Sequence, residues 1–376
     1  MKRVSLDLQP CAGNRSGIGM YTYEIAKRVK SDNELEFSGN LFNFRNEHEH
    51  SQWISKINIP VYQCHLLPYH IYRLMWEVFP LDYRRLFSGK SDLTVFFNYL
   101  VPPRIKGKVI TTVHDVTYLR YPETVKARTL YSLRWRLRRS IERSDHILTV
   151  SEFTKRELQQ LLNIPEEKIS VIPNAAVFSE NAADFGDVSK KYGFDGPYIL
   201  YVGTVEPRKN LVRLLHAFEQ LKTERNIPHC LVLAGGNGWN NADIYQAAKD
   251  SKYADQIHFT GYVTEEEKSG LYRHADVFVF PSLYEGFGIP PLEAMHWGCP
   301  VVTSNAASLP EVVGDAAELV DPFDETDIAR GIWNILSDEA YASELVDRGK
   351  RQAEKFTWED SAKKLTEICR KVLNER

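Results

Sequence analysis

The sequence predicts an α/β protein of two domains, each built on a parallel sheet covered by helices. Short apolar runs rich in β-branched and aromatic residues (Tyr198–Val202, Leu231–Ala234, Ile257–Thr260, Val277–Phe280) recur between stretches of helical pattern. Repeated βα units of this kind give parallel sheets with helices on their faces. Glycine and proline close the runs, as at Gly235-Gly236 and Pro281-Ser282, where buried strands end. The length, 376 residues, suits two domains of ordinary size.

In chain order, Val4–Leu8 reads as the first strand, followed by the loop Gly13-Asn14-Arg15-Ser16-Gly17-Ile18-Gly19 and a helix from Met20 to Lys30. A glycine loop between strand and helix can hold phosphate on backbone amides. The spacing is not G-x-G-x-x-G and no acid follows at a ribose position, so it does not argue for a dinucleotide. Between residues 35 and 100 the clearest strand is Leu93–Phe97. Tyr69 to Phe87 is rich in aromatics and arginine; it could touch a membrane surface or a substrate, although aromatics more often simply pack. Val109–Val113 is a strand that delivers His114-Asp115 at its carboxyl end, where open α/β sheets bind ligands.

The stretch from Arg120 to Arg143 is strongly basic with interleaved aromatics and aliphatics. It reads either as a helix with a solvated basic face or as a patch for anionic lipid or a lipid-borne diphosphate. Ser144–Ser151 is a further strand, with Ser151 placed to cap the next helix, and Ile169–Ile172 another. Residues 175–196 lose periodicity and are assigned to a linker. This divides the chain into domains at 1–178 and 190–356, with a last helix at about 357–376 packing back on the first. In the second half, Gly203–Asn210 leads into a helix from about Leu211 to Leu221. Thr264 and Glu267 form a capping box for a helix ending near His274, and Glu318–Val320 is a short strand.

With 43% hydrophobic and 26% charged residues the chain is globular in composition, and a formal net charge of −3 gives no electrostatic case for nucleic acid. Five scattered cysteines without a C-x-x-C pair argue against a disulfide framework or zinc site. The first residues lack a signal-peptide pattern, and no apolar run approaches the roughly 18 residues of a spanning helix. The expectation is a cytoplasmic protein with possible peripheral contact to a membrane.

The chemistry concentrates in residues 277–304. Strand Val277–Phe280 stops at Pro281-Ser282, the loop Glu285-Gly286-Phe287-Gly288-Ile289 follows, and Leu292–Trp297 reads as a short helix before a second strand, Pro300–Thr303. The glycines bring backbone N–H groups close to a ligand just before a helix N-terminus, and Glu285 and Glu293 bracket the loop. A tight connection carrying two solvated acids would show the same spacing.

Glu285, Gly286-Phe287-Gly288-Ile289-Pro290-Pro291-Leu292 and Glu293 resemble the E-x7-E motif of retaining glycosyltransferases of family 4. Gly298-Cys299-Pro300-Val301-Val302 agrees with it. The resemblance implies the GT-B fold: two Rossmann-like domains whose parallel sheets face a central cleft, with the nucleotide-sugar donor in the C-terminal one. It places Glu285 at the donor sugar, Glu293 at the ribose, and His114, in V-H-D, at the donor sugar as well. Gly203-Thr204-Val205-Glu206-Pro207-Arg208-Lys209-Asn210 resembles the family's diphosphate motif, with Arg208 and Lys209 as the cations; Thr204 stands where many members carry arginine. Backbone contacts fall on Phe287, Gly288 and Ile289, the base near Gly261-Tyr262, and a diphosphate or acceptor near Gly17 and Gly19.

The implied activity is hexosyl transfer with retention, from a nucleotide sugar (GDP-mannose favoured) to a saccharide or lipid-diphosphate-linked acceptor in surface polysaccharide synthesis. No D-x-D motif is present, so neither metal nor cofactor is expected. A nucleotide-sugar epimerase of the same fold and a non-catalytic carbohydrate-binding scaffold are the alternatives.

Overall fold

The computed structural model describes residues 1–12, 17–44, 52–76, 79, 81–87, 91–125, 127–178 and 184–375. The chain forms two compact units, one of Met1–Arg120, Ala127–Asn174 and Thr357–Arg376, the other of Tyr121–Lys126 and Ala175–Phe356.

The first unit holds a sheet of β1 (Lys2–Asp7), β2 (Leu35–Phe42), β3 (Val61–Cys64), β4 (Leu93–Phe96), β5 (Lys108–Val113), β6 (His146–Thr149) and β7 (Ile169–Val171), in the order β3-β2-β1-β4-β5-β6-β7. Every pairing described is parallel. The order reverses between β1 and β4, so the carboxyl ends of those strands splay apart and leave room for side chains. The helix Trp358–Asn374 belongs to this unit: Ser361 Oγ donates to the Pro173 carbonyl at 2.8 Å, and Trp358 packs edge-on to Tyr21 at 5.8 Å.

The second unit holds β8 (Tyr198–Val202), β9 (Cys230–Ala234), β10 (Ile257–Gly261), β11 (Val277–Phe280), β12 (Val301–Ser304) and β13 (Glu318–Val320), in the order β10-β9-β8-β11-β12-β13, all parallel. Here the reversal falls between β8 and β11. Every residue of these two strands is buried, as expected for central strands covered on both faces. Their carboxyl-end loops therefore leave the sheet side by side, although about 80 residues of chain separate them.

Three expectations are corrected. The first helix is Gly17–Arg28, so Gly17 and Gly19 lie in its opening turns and not in a loop. Helical geometry is already set there: Thr22 Oγ1 donates back to the Ile18 carbonyl at 2.9 Å. Gly13–Ser16 lie outside the described residues. The helix after Gly288 begins at Ile289, three residues earlier than expected, because Pro290 is accommodated in the first turn, where no N–H partner exists. The stretch assigned to a linker contains a helix, Phe185–Tyr192.

Of the aromatic stretch after Tyr69, most rings pack inward, while Phe79 is 66% exposed. Tyr72, Trp76, Tyr83 and Phe87 form one buried cluster with Phe42 and Phe96. The five cysteines are buried, and no disulfide joins them. Among the described residues, no helix is long and apolar enough to cross a membrane.

Candidate active site

Two loops at the reversal point of the second sheet build the site. After β8, the chain turns at Gly203 and passes through a short 3-10 turn, Pro207–Lys209, to the helix Leu211–Arg225. After β11 it runs through Pro281–Gly288 into the helix Ile289–His296. The Leu283 N–H donates to the Arg208 carbonyl at 2.9 Å, which zips the loops together. Asn210, in the left-handed region at φ +62°, donates its side-chain amide to the Pro281 carbonyl at 3.1 Å and the Pro322 carbonyl at 2.6 Å. Asparagine is among the few residues that tolerate such a φ, and its amide is the tie.

This brings Arg208, Lys209 and Glu285 into contact. Lys209 Nζ donates to Glu285 Oε1 at 2.5 Å and Arg208 Nη1 lies 2.8 Å from Glu285 Oε2, so each carboxylate oxygen faces one cation. Arg208 also donates to the Tyr284 carbonyl at 2.6 Å and to Glu206 at 2.8 Å, and the Lys209 ammonium sits 4.9 Å from the Phe280 ring centroid. Lys209 and Glu285 are both only 8% exposed. Burial alone would raise the Glu285 pKa; the two adjacent cations reverse that and bring it down to about 2. Burial lowers the Lys209 pKa against the attraction of Glu285.

Gly288 caps the following helix at φ +104°, and a Cβ there would come within 2.6 Å of Leu309 Cδ2, so only glycine fits. The Ser308 hydroxyl bonds to the Glu285 and Phe287 carbonyls at 2.9 and 2.8 Å, fixing the loop from below. The N–H groups of Gly288 and Ile289 open a helix beside the cation pair, an arrangement suited to phosphate oxygens. Phe287 points its side chain inward against Phe356.

Glu293 lies one turn into that helix, 7% exposed. Lys268 Nζ donates to its Oε1 at 2.8 Å and the Tyr272 hydroxyl to its Oε2 at 3.0 Å, both from the helix Glu265–His274. Burial outweighs the lysine, and the Glu293 pKa is raised.

The remaining expected residues separate into three places. Gly203 and Gly261 share the strand-end backbone row: the Gly203 N–H donates to the Ala234 carbonyl and the Gly235 N–H to the Gly261 carbonyl, each at 2.9 Å. A Cβ on Gly235 would lie 2.0 Å from the Gly203 oxygen. Thr204 is exposed, its carbonyl accepting from the Tyr201 hydroxyl, and Tyr262 is 80% exposed. Gly17, Gly19 and His114 belong to the first unit. His114 Nε2 donates to the Phe97 carbonyl at 2.8 Å and its ring stands edge-on to Tyr21 at 5.0 Å. Burial lowers its pKa, so at neutral pH the ring is uncharged and Nδ1 remains as an acceptor. Asp7, at the carboxyl end of β1, accepts from the Tyr83 hydroxyl at 2.8 Å; burial pushes its pKa up to about 7.

Lys268, Tyr272, Ser308 and Asn210 were not singled out from the sequence. Lys268 follows three glutamates in a capping turn and reads there as a solvated charge. Asn210 alone carried a signal, as the last residue of the diphosphate-like motif.

A fold of two Rossmann-like units, with a buried lysine–glutamate pair and a glycine loop at a helix N-terminus, fits a glycosyltransferase of the GT-B type. Two family profiles match the chain, glycosyltransferase family 4 over residues 15–177 and glycosyl transferases group 1 over residues 185–355. The chain belongs to family 4 of the glycosyltransferases. It is 34% identical, over 95% of its length and 97% of the relative's, to O-antigen chain mannosyltransferase B of Escherichia coli. It is 32% identical, over 70% of each chain, to O-antigen chain mannosyltransferase RfbU of Salmonella typhimurium. Among solved structures, Anabaena Alr3699/HepE in complex with UDP-glucose superposes with a TM-score of 0.73 at 17% identity, covering 99% of this chain and all of that one. The protein is thus a hexosyltransferase.

Proposed function

We propose that this enzyme transfers mannose from GDP-mannose, with retention of configuration and without a metal ion, to a saccharide or lipid-linked saccharide during surface polysaccharide assembly. The observation that carries the reading is the Arg208–Glu285–Lys209 cluster, buried at Lys209 and Glu285, before the N-terminus of the helix Ile289–His296. The likeness to two O-antigen mannosyltransferases supports the choice of sugar.

In this reading the diphosphate rests on Arg208, Lys209 and the N–H groups of Gly288 and Ile289. These groups stabilise the charge that develops as the sugar–phosphate bond breaks, the role a divalent ion fills in other enzymes. Glu293 binds the ribose, Gly261 and Tyr262 flank the base, and His114, with Gly17 and Gly19, serves the sugar and diphosphate. Glu285 is a poor nucleophile, since both of its oxygens face cations and its pKa is low. That favours attack by the acceptor hydroxyl on the face of the departing diphosphate, with Glu285 orienting the sugar. We place the enzyme in the cytoplasm, with the basic helix Ala127–Arg143 against an anionic membrane.

The test is turnover of GDP-mannose, UDP-glucose and dTDP-rhamnose in excess EDTA with a saccharide acceptor, the product's anomeric configuration being read by NMR. Transfer from GDP-mannose giving an α-linked product is expected. Inversion, a different donor, or activity restored only by Mg²⁺ or Mn²⁺ would each overturn the corresponding part.

A further inference from the structure

Glu293 is gripped by a neighbouring helix in a way its proposed role does not by itself require. We propose that Lys268 and Tyr272 are positioning residues for donor binding, aiming the Glu293 carboxylate and keeping it ionised so that it can accept from the ribose hydroxyls. This rests on the reading of Glu293 as the ribose contact.

The geometry assigns one donor to each oxygen: Lys268 Nζ to Oε1 at 2.8 Å, the Tyr272 hydroxyl to Oε2 at 3.0 Å. A carboxylate oxygen has two lone-pair directions, so each keeps one for a ligand hydroxyl. With both oxygens pinned from the same helix, rotation about the last side-chain bond is blocked and the free lone pairs are fixed in direction. Tyr272 is fully buried, and its hydroxyl meets Glu293 there.

Charge gives the second half. Glu293 is buried, and burial favours the neutral acid. The groups that act on it are Lys268, which opposes protonation, Glu265, which promotes it, and the Tyr272 hydroxyl, which opposes it. Lys268 also reaches Glu265 Oε2 at 2.9 Å, so one ammonium serves two carboxylates. Removing that ammonium leaves a buried carboxyl beside an acid and moves its titration further up. A protonated Glu293 donates from one oxygen and can no longer accept from both hydroxyls of a diol. A merely structural ion pair would instead cost stability and leave nucleotide affinity independent of pH.

The experiment titrates GDP, UDP, ADP and dTDP into the full-length parent, Lys268→Met, Lys268→Arg, Tyr272→Phe and Glu293→Gln, from about pH 6 to pH 9, with thermal unfolding of each variant in parallel. For the nucleotide that binds the parent, Lys268→Met is expected to weaken affinity about tenfold or more at pH 7, a loss that shrinks as the pH rises and Glu293 ionises. Lys268→Arg restores affinity, and Tyr272→Phe shows a smaller loss. Parent-like affinity of Lys268→Met across the pH range, with Glu293→Gln impaired, would overturn the positioning role alone. Parent-like affinity of Glu293→Gln would remove the ribose assignment and this proposal with it. Should Lys268→Met unfold, the Tyr272→Phe and Lys268→Arg titrations decide.

Discussion

The carboxyl ends of the two sheets each bury an acid, and the two acids behave in opposite ways. Asp7, at the end of β1, meets a tyrosine hydroxyl and a backbone N–H, and burial pushes its pKa up to about 7. Glu285, after β11, is as deeply buried but lies between Arg208 and Lys209, and its pKa falls to about 2. Burial is common to both; the adjacent cations make the difference. The second sheet's end therefore holds a fixed charge, as the proposed diphosphate site requires, whereas the first holds a carboxyl whose pKa is pushed up to about 7.

The largest effect expected from breaking this contrast is on folding. Glu285→Gln leaves the buried Lys209 ammonium without its counter-charge, and removing one partner of a buried pair costs about 3–5 kcal/mol. Denaturant unfolding at neutral pH measures it. A variant within about 0.5 kcal/mol of the parent would contradict the burial of the cluster. Arg208→Gln is the catalytic counterpart, with kcat expected to fall about 10²–10³-fold, as when one preorganised charge donor is lost.

Asp7 gives the opposite sign. Its folded pKa lies above the unfolded value, so its contribution is fully present below about pH 4 and is lost as the pH rises toward 7. Asp7→Asn should then stabilise the protein at pH 8 by a few kcal/mol (roughly the size of the shift) and do little at pH 4. Glu285, with a depressed pKa, contributes stability that is present above its unfolded value and lost as the pH falls from about 4.5 to about 2. Unfolding of the parent and both variants across pH measures the two windows, and equal pH slopes would erase the comparison.

The smallest effect concerns the surface. In the helix Ala127–Arg143, Tyr131 is 79% exposed and Arg139 stacks 3.7 Å over the half-exposed Trp135. Arg136→Glu with Arg139→Glu should lower partition onto anionic liposomes while leaving transfer to a water-soluble acceptor intact. Unchanged partition would leave the helix as a solvated basic face.

Legibility in the sequence follows the same division. Strands β8 and β11 were read to the residue, because central strands buried on both faces appear as uninterrupted apolar runs. Strands β2 and β3 were not. Leu35–Phe42 is broken by Ser38, Gly39 and Asn40, and Val61–Cys64 is a short, half-exposed edge. The glycine and acid spacing marked the site loop, but the contact of Lys209 with Glu285 depends on β8 lying next to β11, a pairing no local pattern encodes. Lys268 and Tyr272 were missed for the same reason: their partner is on another helix.

The most direct test of the central claim is a calorimetric titration of GDP, UDP, ADP and dTDP into the parent and into Arg208→Gln/Lys209→Met. One nucleotide, expected to be GDP, should bind the parent and lose about tenfold or more in affinity when the two charges are removed. Binding of none of them, or equal affinity in the double variant, would contradict a diphosphate site at the end of the second sheet.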